Sequence, residues 1–181
     1  MCARCRRSPA AIDRGRAAGA YEGALREVIH ALKYDGRRSL ARPLAGLMVA
    51  RGSAVLAGAD AVVPVPLHWR RRRQRGFNQA HDLANHIGLP VVNALRRTRA
   101  TSPQADLPAA RRHANVREAF GCRPTAARLE GRIVVLIDDV STTGATLHAC
   151  ARTLKRCGVA EVRALTTARA VTSPTGTRPP R

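Results

Sequence analysis

The chain has 181 residues, of which 45% are hydrophobic, and a formal net charge of +20. This length suits one globular domain with a sizeable core. No apolar run is long enough to cross a bilayer, which excludes membrane insertion. Near Met1 no basic segment leads into an apolar stretch with a small-residue cleavage site, so we expect a cytoplasmic protein.

The positive charge is carried almost entirely by arginine, because Lys33 and Lys155 are the only lysines. Clustered cations favour binding to polyphosphates such as nucleic acid. Two features weaken this interpretation: the general use of arginine suggests codon bias, and an aromatic content of 3% leaves few side chains to stack on bases. Nucleic-acid binding therefore stays open as an alternative.

Five cysteines are present, and Cys122, Cys150 and Cys157 stand singly in the sequence. An odd number of cysteines without a regular framework predicts reduced thiols. Cys150 falls on the apolar side of a predicted helix, so we expect it to pack in the core. Cys2 and Cys5 form a C-x-x-C pair.

In chain order, residues 1–20 are a basic N-terminal segment rich in glycine and alanine. Apolar residues between positions 25 and 32 then recur at helical spacing, and Gly36 follows as a stop signal. A second helix is predicted around residues 40–48. The apolar run 61–65 predicts a strand that ends at Pro66, and the arginine cluster 70–75 is predicted to be a loop.

The helical period returns after Gly76, with Asn78 as the N-cap, and residues 90–95 are predicted to form the next strand. The stretch 96–120 is polar, carries Pro103 and Pro108, and lacks a sustained apolar period. A connection of that length is typical of a functional lid or a mobile loop.

The clearest unit is an apolar strand at 133–137, a polar turn at 138–146, a helix at 147–154 and a second strand at 159–166. This order is typical of a right-handed βαβ crossover in a parallel sheet. We therefore predict an α/β domain over residues 21–171, with an open, mostly parallel sheet and helices on both faces. Residues 172–181 are predicted to be a disordered tail.

The polar turn carries the features of a phosphate site. Ligands of open α/β sheets bind beyond the carboxyl ends of the strands, which is where this turn lies. Unpaired N–H groups at the start of a helix attract anions, and Gly144 lets the backbone approach a ligand closely. Thr142, Thr143 and Thr146 can add hydroxyl donors.

Two adjacent acids, Asp138 and Asp139, begin the same turn and would repel a phosphate. They therefore need a different part of the ligand. Vicinal ribose hydroxyls are donors that suit carboxylates, and Mg²⁺ commonly uses one or two carboxylates together with substrate phosphates. The residues thus predict a phosphorylated ribose with Mg²⁺.

Two other interpretations of the turn explain less. An ordinary turn accounts for one Asp and one capping hydroxyl, but not for two acids followed by Thr-Thr-Gly-Ala-Thr. A nucleotide hydrolase could hold Mg²⁺ on a strand-terminal Asp, yet the sequence has no G-x-x-x-x-G-K-[ST] loop.

The segment from Val134 to Thr146 resembles the phosphoribosyl-pyrophosphate-binding motif of type I phosphoribosyltransferases. Other motifs narrow the resemblance to the ComF family, also called GntX-like. They are Leu32-Lys33-Tyr34, Val63-Pro64-Val65-Pro66-Leu67-His68, Arg75-Gly76-Phe77-Asn78-Gln79-Ala80, and Gln104 with Arg112 and Asn115.

The resemblance implies a type I phosphoribosyltransferase-like fold that binds phosphoribosyl pyrophosphate with Mg²⁺. Asp138 and Asp139 would be the catalytic pair, on the ribose hydroxyls. The implied ribose 5-phosphate site is Asp138, Asp139, Val140, Ser141, Thr142, Thr143, Gly144, Ala145 and Thr146. Candidates for the pyrophosphate and the covering loop are Leu67, His68, Arg75, Gln104 and Arg112, while Arg70–Arg73 are either further contacts or a solvated basic loop.

The cysteine pair departs from the family pattern. Family members commonly begin with further cysteine pairs that build a small zinc site, and Cys2 and Cys5 resemble the last of these pairs. Structural Zn²⁺ needs four ligands, so one C-x-x-C supplies half a site. Either the start codon is placed too late or the zinc module has been lost, and we do not expect this chain alone to bind Zn²⁺.

Two functional hypotheses remain. As an enzyme, the protein would let an acceptor attack the anomeric carbon of phosphoribosyl pyrophosphate while Mg²⁺-bound pyrophosphate departs. As a non-catalytic adaptor, it would use the pocket as a ligand sensor while its basic surface contacts single-stranded DNA or a partner protein. ComF-like proteins are associated with DNA uptake during natural transformation, so the resemblance implies a link to DNA-uptake proteins.

Overall fold

A computed structural model describes residues 11–98 and 119–170. Its centre is a four-stranded parallel sheet in the order β1-β6-β5-β2. The strands are β1 (Arg14–Ala20), β2 (Ala61–Pro64), β5 (Ile133–Ser141) and β6 (Glu161–Arg169). The residues of β2, the apolar part of β5 and most of β6 are buried, as expected for a parallel sheet covered on both faces, and in β6 the buried residues include Arg163, Thr166 and Thr167.

Five α-helices accompany the strands in the described ranges. They are α1 (Gly23–Tyr34), α2 (Ala41–Leu56), α3 (Trp69–Arg75), α4 (Gln79–Ala84) and α5 (Ala145–Arg156). As predicted, Asn78 caps α4, because its side chain accepts a hydrogen bond from the Ala80 N–H at 3.2 Å. Gly36 follows α1 with a φ of 65°, a conformation that glycine adopts without strain.

The core is divided between the two faces of the sheet. On one face, α5 packs Leu147, Cys150 and Leu154 against Val134 and Leu136 of β5. On the other, α1, α2 and α4 cover the alternate strand residues, which include Val135, Ile137 and Leu165. This alternation follows from the period of two along a strand. The predicted α/β fold with helices on both faces is confirmed, and Cys150 lies in the core as predicted.

A two-stranded antiparallel sheet lies beside the main one. It pairs β3 (Leu95–Arg97) with β4 (Phe120–Cys122), so the two strands flank residues 99–118. The predicted strand at 90–95 is therefore wrong in most of its length. Val91 makes an isolated parallel bridge to Val62, and the regular pairing begins only at Leu95.

Two further predictions are corrected. The arginine cluster predicted as a loop is the helix α3, which has no apolar period to reveal it. Cys122 and Cys157, predicted to be reduced thiols, form a disulfide that joins β4 to the end of α5. The sequence also predicted no strand before Tyr21, where β1 pairs with β6 from Arg14 onwards.

Among the described residues, no helix has the length and apolar character needed to cross a membrane.

Candidate functional site

A cavity of about 550 Å³ opens where the carboxyl ends of β2 and β5 meet. It is lined by the ends of these strands, by α1, and by the segment that runs from Val65 into α4. The two strands are held in register here, since the Val65 N–H donates to the Ile137 carbonyl at 2.9 Å. The cavity is therefore at the edge of the sheet where the sequence predicts a ligand.

The turn after β5 presents unpaired backbone donors. The N–H groups of Thr142, Thr143 and Gly144 have no hydrogen-bond acceptor among the described residues. Gly144 is the N-cap of α5 and has a φ of 74°. A small hollow of about 30 Å³ lies within this turn, beside Asp138 and Thr146. Such an arrangement of amides at the positive end of a helix is suited to an anion of phosphate size.

The two acids line the same cavity but have different surroundings. Lys33 of α1 approaches Asp139 at 2.9 Å between Nζ and Oδ2, and each of the two side chains is 14% exposed. Asp138 is half-buried and lines both the cavity and the hollow within the turn. Burial and the neighbouring Asp139 carboxylate raise the pKa of Asp138 from its ordinary value to about 8.

Backbone hydrogen bonds fix the orientation of both carboxylates. The Asp139 N–H donates to Asp138 Oδ1 at 2.9 Å, and the Val140 N–H donates to Asp139 Oδ1 at 2.6 Å. Each acid therefore keeps its Oδ2 for another partner. For Asp139 this oxygen meets Lys33, while the Asp138 carboxyl lines the cavity and lies beside the Asp139 side chain.

Cations line the side of the cavity formed by α3 and β3. They are Arg71, Arg75 and Arg97. The Arg75 guanidinium lies 4.7 Å from the centre of the Tyr34 ring, and the Arg97 guanidinium lies 5.5 Å from that of Phe120. Burial and the nearby Arg71 charge lower the pKa of Arg97. An anionic group on the ligand would relieve this crowding of positive charge.

The structure brings most of the predicted residues together. Asp138, Asp139, Val140, Thr142, Thr146, Leu67 and Arg75 line the cavity, while Ala145 lies at the hollow within the turn. Ser141 and Gly144 also lie at this hollow, and both face a second cleft on the other side of the turn. Thr143 lines this second cleft and not the main cavity. His68 is buried beside Trp69, outside the part of the lining that the described ranges provide. Gln104, Arg112, Cys2 and Cys5 lie outside the described residues.

Several lining residues were not selected from the sequence as site residues. Lys33 and Tyr34 come from α1, Gln79 from α4 and Arg97 from β3. The first three fall within the motifs Leu32-Lys33-Tyr34 and Asn78-Gln79-Ala80, which carried a signal. Arg97 lies in the stretch 96–120 that was interpreted as a lid or a mobile loop, but it was not selected as a site residue.

A metal ion at this site would depend on the ligand for part of its coordination. Within residues 11–98 and 119–170, no group of three or more His, Cys, Asp or Glu side chains is placed to hold a metal. The two adjacent carboxylates still fit Mg²⁺, which is often bound by one or two carboxylates plus phosphate oxygens and water.

Comparisons with known proteins agree with the fold. The sequence profile of the family described as "Phosphoribosyl transferase domain" matches residues 73–181. The chain is 35% identical over 172 residues to the DNA utilization protein YhgH of Escherichia coli K12, covering 90% of this chain and 74% of that protein. It is 31% identical over 179 residues to competence protein F of Haemophilus influenzae, covering 93% and 78%.

A third relative is competence protein ComFC of Bacillus subtilis, which is 32% identical over 141 residues, or 77% of this chain and 57% of that protein. The matched profile covers more than half of the chain and includes β5, the turn and α5. The chain therefore belongs to the phosphoribosyltransferase domain family and, within it, to the ComF-like proteins.

Proposed function

We propose that the cavity binds phosphoribosyl pyrophosphate together with Mg²⁺, and that the protein takes part in handling DNA during its uptake. The observation that carries the binding proposal is a turn with three unpaired N–H groups, which follows two acids that line the cavity. Amides and acids attract opposite partners. A ligand that combines a phosphate with a ribose diol satisfies both.

The parts of the ligand follow the charges of the cavity wall. The 5′-phosphate is assigned to the turn from Ser141 to Thr146, and the ribose hydroxyls to Asp138 and Asp139. The pyrophosphate is assigned to the side that carries Arg71, Arg75 and Arg97. An arginine guanidinium can donate two hydrogen bonds to phosphate oxygens, whereas a carboxylate accepts hydrogen bonds from hydroxyl groups.

Mg²⁺ would be held by Asp138 or Asp139 together with ligand oxygens, and when bound it would neutralise the pyrophosphate charge. Lys33 pairs with Asp139 and offsets part of its negative charge, which lessens the repulsion between the two acids and a phosphorylated ligand. Transfer to an acceptor would need no covalent step on the protein, because positioning and charge stabilisation suffice for this chemistry.

Isothermal titration with phosphoribosyl pyrophosphate in the presence of Mg²⁺ tests this proposal. We expect binding by the unaltered protein and a loss of about tenfold or more in affinity for Asp138→Asn and for Asp139→Asn, since a hydrogen bond to a charged group contributes about 1.5–3 kcal/mol. Asp60→Asn is the matched control, because Asp60 lies at the opposite end of β2 and pairs with Arg132. Absence of binding, or equal affinity for all three variants, would refute the proposal.

A second candidate function is single-stranded DNA binding at the rim of the cavity. Two exposed aromatic side chains, each against an arginine, belong to helices that line the cavity. Tyr34 of α1 is itself a lining residue, and Trp69 begins α3, which contributes Arg71 and Arg75. Trp69 is 54% exposed and has the Arg73 guanidinium 5.5 Å from its ring centre. Tyr34 is 60% exposed and contacts Arg75. Aromatic platforms within a basic groove are typical of proteins that bind single strands.

Trp69 gives a direct readout because it is the single tryptophan of the chain. We expect oligothymidine to quench its fluorescence. In titrations followed by the anisotropy of a labelled oligothymidine, we expect Trp69→Ala to weaken binding about fivefold or more at fixed salt, since stacking contributes about 1–3 kcal/mol per base. Val49→Ala, at an exposed apolar residue of α2, is the control. Binding that has the same affinity in both variants would exclude the rim as the contact.

A further inference from the structure

Gln79 is a buried amide that lacks a hydrogen-bond partner. It is the first residue of α4 and is 2% exposed. Its Nε2 is buried, and no acceptor for it exists among the described residues. A buried donor left unpaired costs about 1–3 kcal/mol, and most buried polar groups in native proteins are paired. This exception is explained if a bound ligand supplies the missing acceptor.

The position of Gln79 points to the cavity as the source of that partner. Gln79 is part of the cavity wall, which also includes Arg71 and Arg75 of the preceding helix α3. The preceding residue, Asn78, donates from Nδ2 to the Val65 carbonyl at 3.1 Å and caps α4 with its oxygen. These two bonds tie the first turn of α4 to the end of β2. Gln79 is therefore held against the segment from Val65 to Leu67.

The residues around Gln79 show that packing alone does not require an amide. Ala80, Leu83 and Ala84 of the same helix are buried and apolar. Methionine has a similar length and flexibility and would fill the same space without an unpaired donor. The terminal torsion of a glutamine side chain rotates easily, so Nε2 can turn towards the cavity. Because the amide is neutral, its burial costs less desolvation free energy than that of a charged group.

We propose that Gln79 donates a hydrogen bond to an oxygen of the pyrophosphate group of the ligand and thereby fixes that group against the arginine side of the cavity. This inference rests on the proposed function and deepens it. Gln79 then acts as a binding residue for one half of the ligand. The ribose 5-phosphate half stays with the acids and the turn.

Two probes separate the two halves of the ligand. Affinities of the unaltered protein and of Gln79→Met are measured by titration with Mg²⁺-pyrophosphate and, separately, with ribose 5-phosphate. We expect Gln79→Met to weaken pyrophosphate binding about ten- to a hundredfold, the range for a hydrogen bond to a charged group. Ribose 5-phosphate should bind equally well to both proteins, and the midpoint of thermal unfolding should stay the same or rise, because the unpaired donor is gone.

Pyrophosphate affinity that is unchanged within about twofold would overturn the inference and leave the proposed function intact. A fall in thermal stability with equal losses for both probes would show a structural role and would also overturn it. If Gln79→Met does not fold, Gln79→Glu has nearly the same shape, and failure of both variants to fold counts against the inference. If the unaltered protein binds neither probe, the proposed function itself fails.

Discussion

Asp138 and Asp139 are neighbours in the sequence but differ in their electrostatic surroundings. Asp139 is paired with Lys33, whereas Asp138 is half-buried at the cavity, and burial together with the neighbouring Asp139 carboxylate raises its pKa to about 8. An acid with a raised pKa in the folded state binds its proton more tightly there than in the unfolded chain. Its ionisation therefore opposes folding, and a ligand that favours the carboxylate would offset this cost.

The pH dependence of stability tests the surroundings of Asp138. Because its ordinary pKa is 3.8 and its folded value is about 8, its contribution lowers the free energy of unfolding as the pH rises between these values. Asp138→Asn removes that contribution. We expect the variant to be more stable than the unaltered protein by about 1–3 kcal/mol at pH 8, with a smaller difference at pH 5.

Urea unfolding at both pH values gives the two free energies. Asp60→Asn, which alters an exposed acid, should show no such gain between pH 5 and pH 8. A stability difference for Asp138→Asn that is equal at both pH values would contradict the assigned environment.

At the level of single residues, the sequence identified the acid pair and the lining residues Leu67 and Arg75. It did not identify the lining residues Lys33, Gln79 and Arg97. Asp138 and Asp139 could be found because an acid pair at the end of an apolar strand is a strong local pattern. Lys33 and Arg97 come from distant parts of the chain, and only the packing of α1 and β3 brings them to the cavity. The missing partner of Gln79 is a property of burial, which no local pattern reports.

Secondary-structure elements with a clear period were predicted well. The helix α1 and the β5-α5-β6 unit follow from apolar spacing, and β5 extends through Asp139 to Ser141. The helix α3 was missed because a run of arginines has no apolar face, although arginine is a good helix former. The strand β1 was missed because its residues are mainly arginine, glycine and alanine, which have low strand propensity. Its extended form comes from pairing with β6.

The disulfide between Cys122 and Cys157 also depends on tertiary structure. The two cysteines are 35 residues apart, and neither belongs to a recognisable pair in the sequence. They meet because β4 packs on α5. The bond joins β4, whose partner strand β3 carries Arg97, to the end of α5, the helix that follows the turn after β5. Two walls of the cavity are thus connected covalently behind the site.

For the whole molecule, the net charge of +20 has a consequence for every binding experiment. A field of this sign attracts any polyphosphate, including nucleic acid, and the attraction falls as salt rises. Affinity alone therefore does not identify a site. What distinguishes the cavity is its geometry, in which acids, amides and arginines would face different parts of the proposed ligand.

A crystal structure with phosphoribosyl pyrophosphate and Mg²⁺ at moderate salt therefore tests the central claim most directly. We predict the 5′-phosphate within hydrogen-bond distance of the N–H groups of Thr142, Thr143 and Gly144, and the ribose hydroxyls on Asp138 and Asp139. The pyrophosphate should lie beside Gln79 and Arg75. Ligand bound only to surface arginines, with the turn and the two acids left out of contact, would contradict the claim.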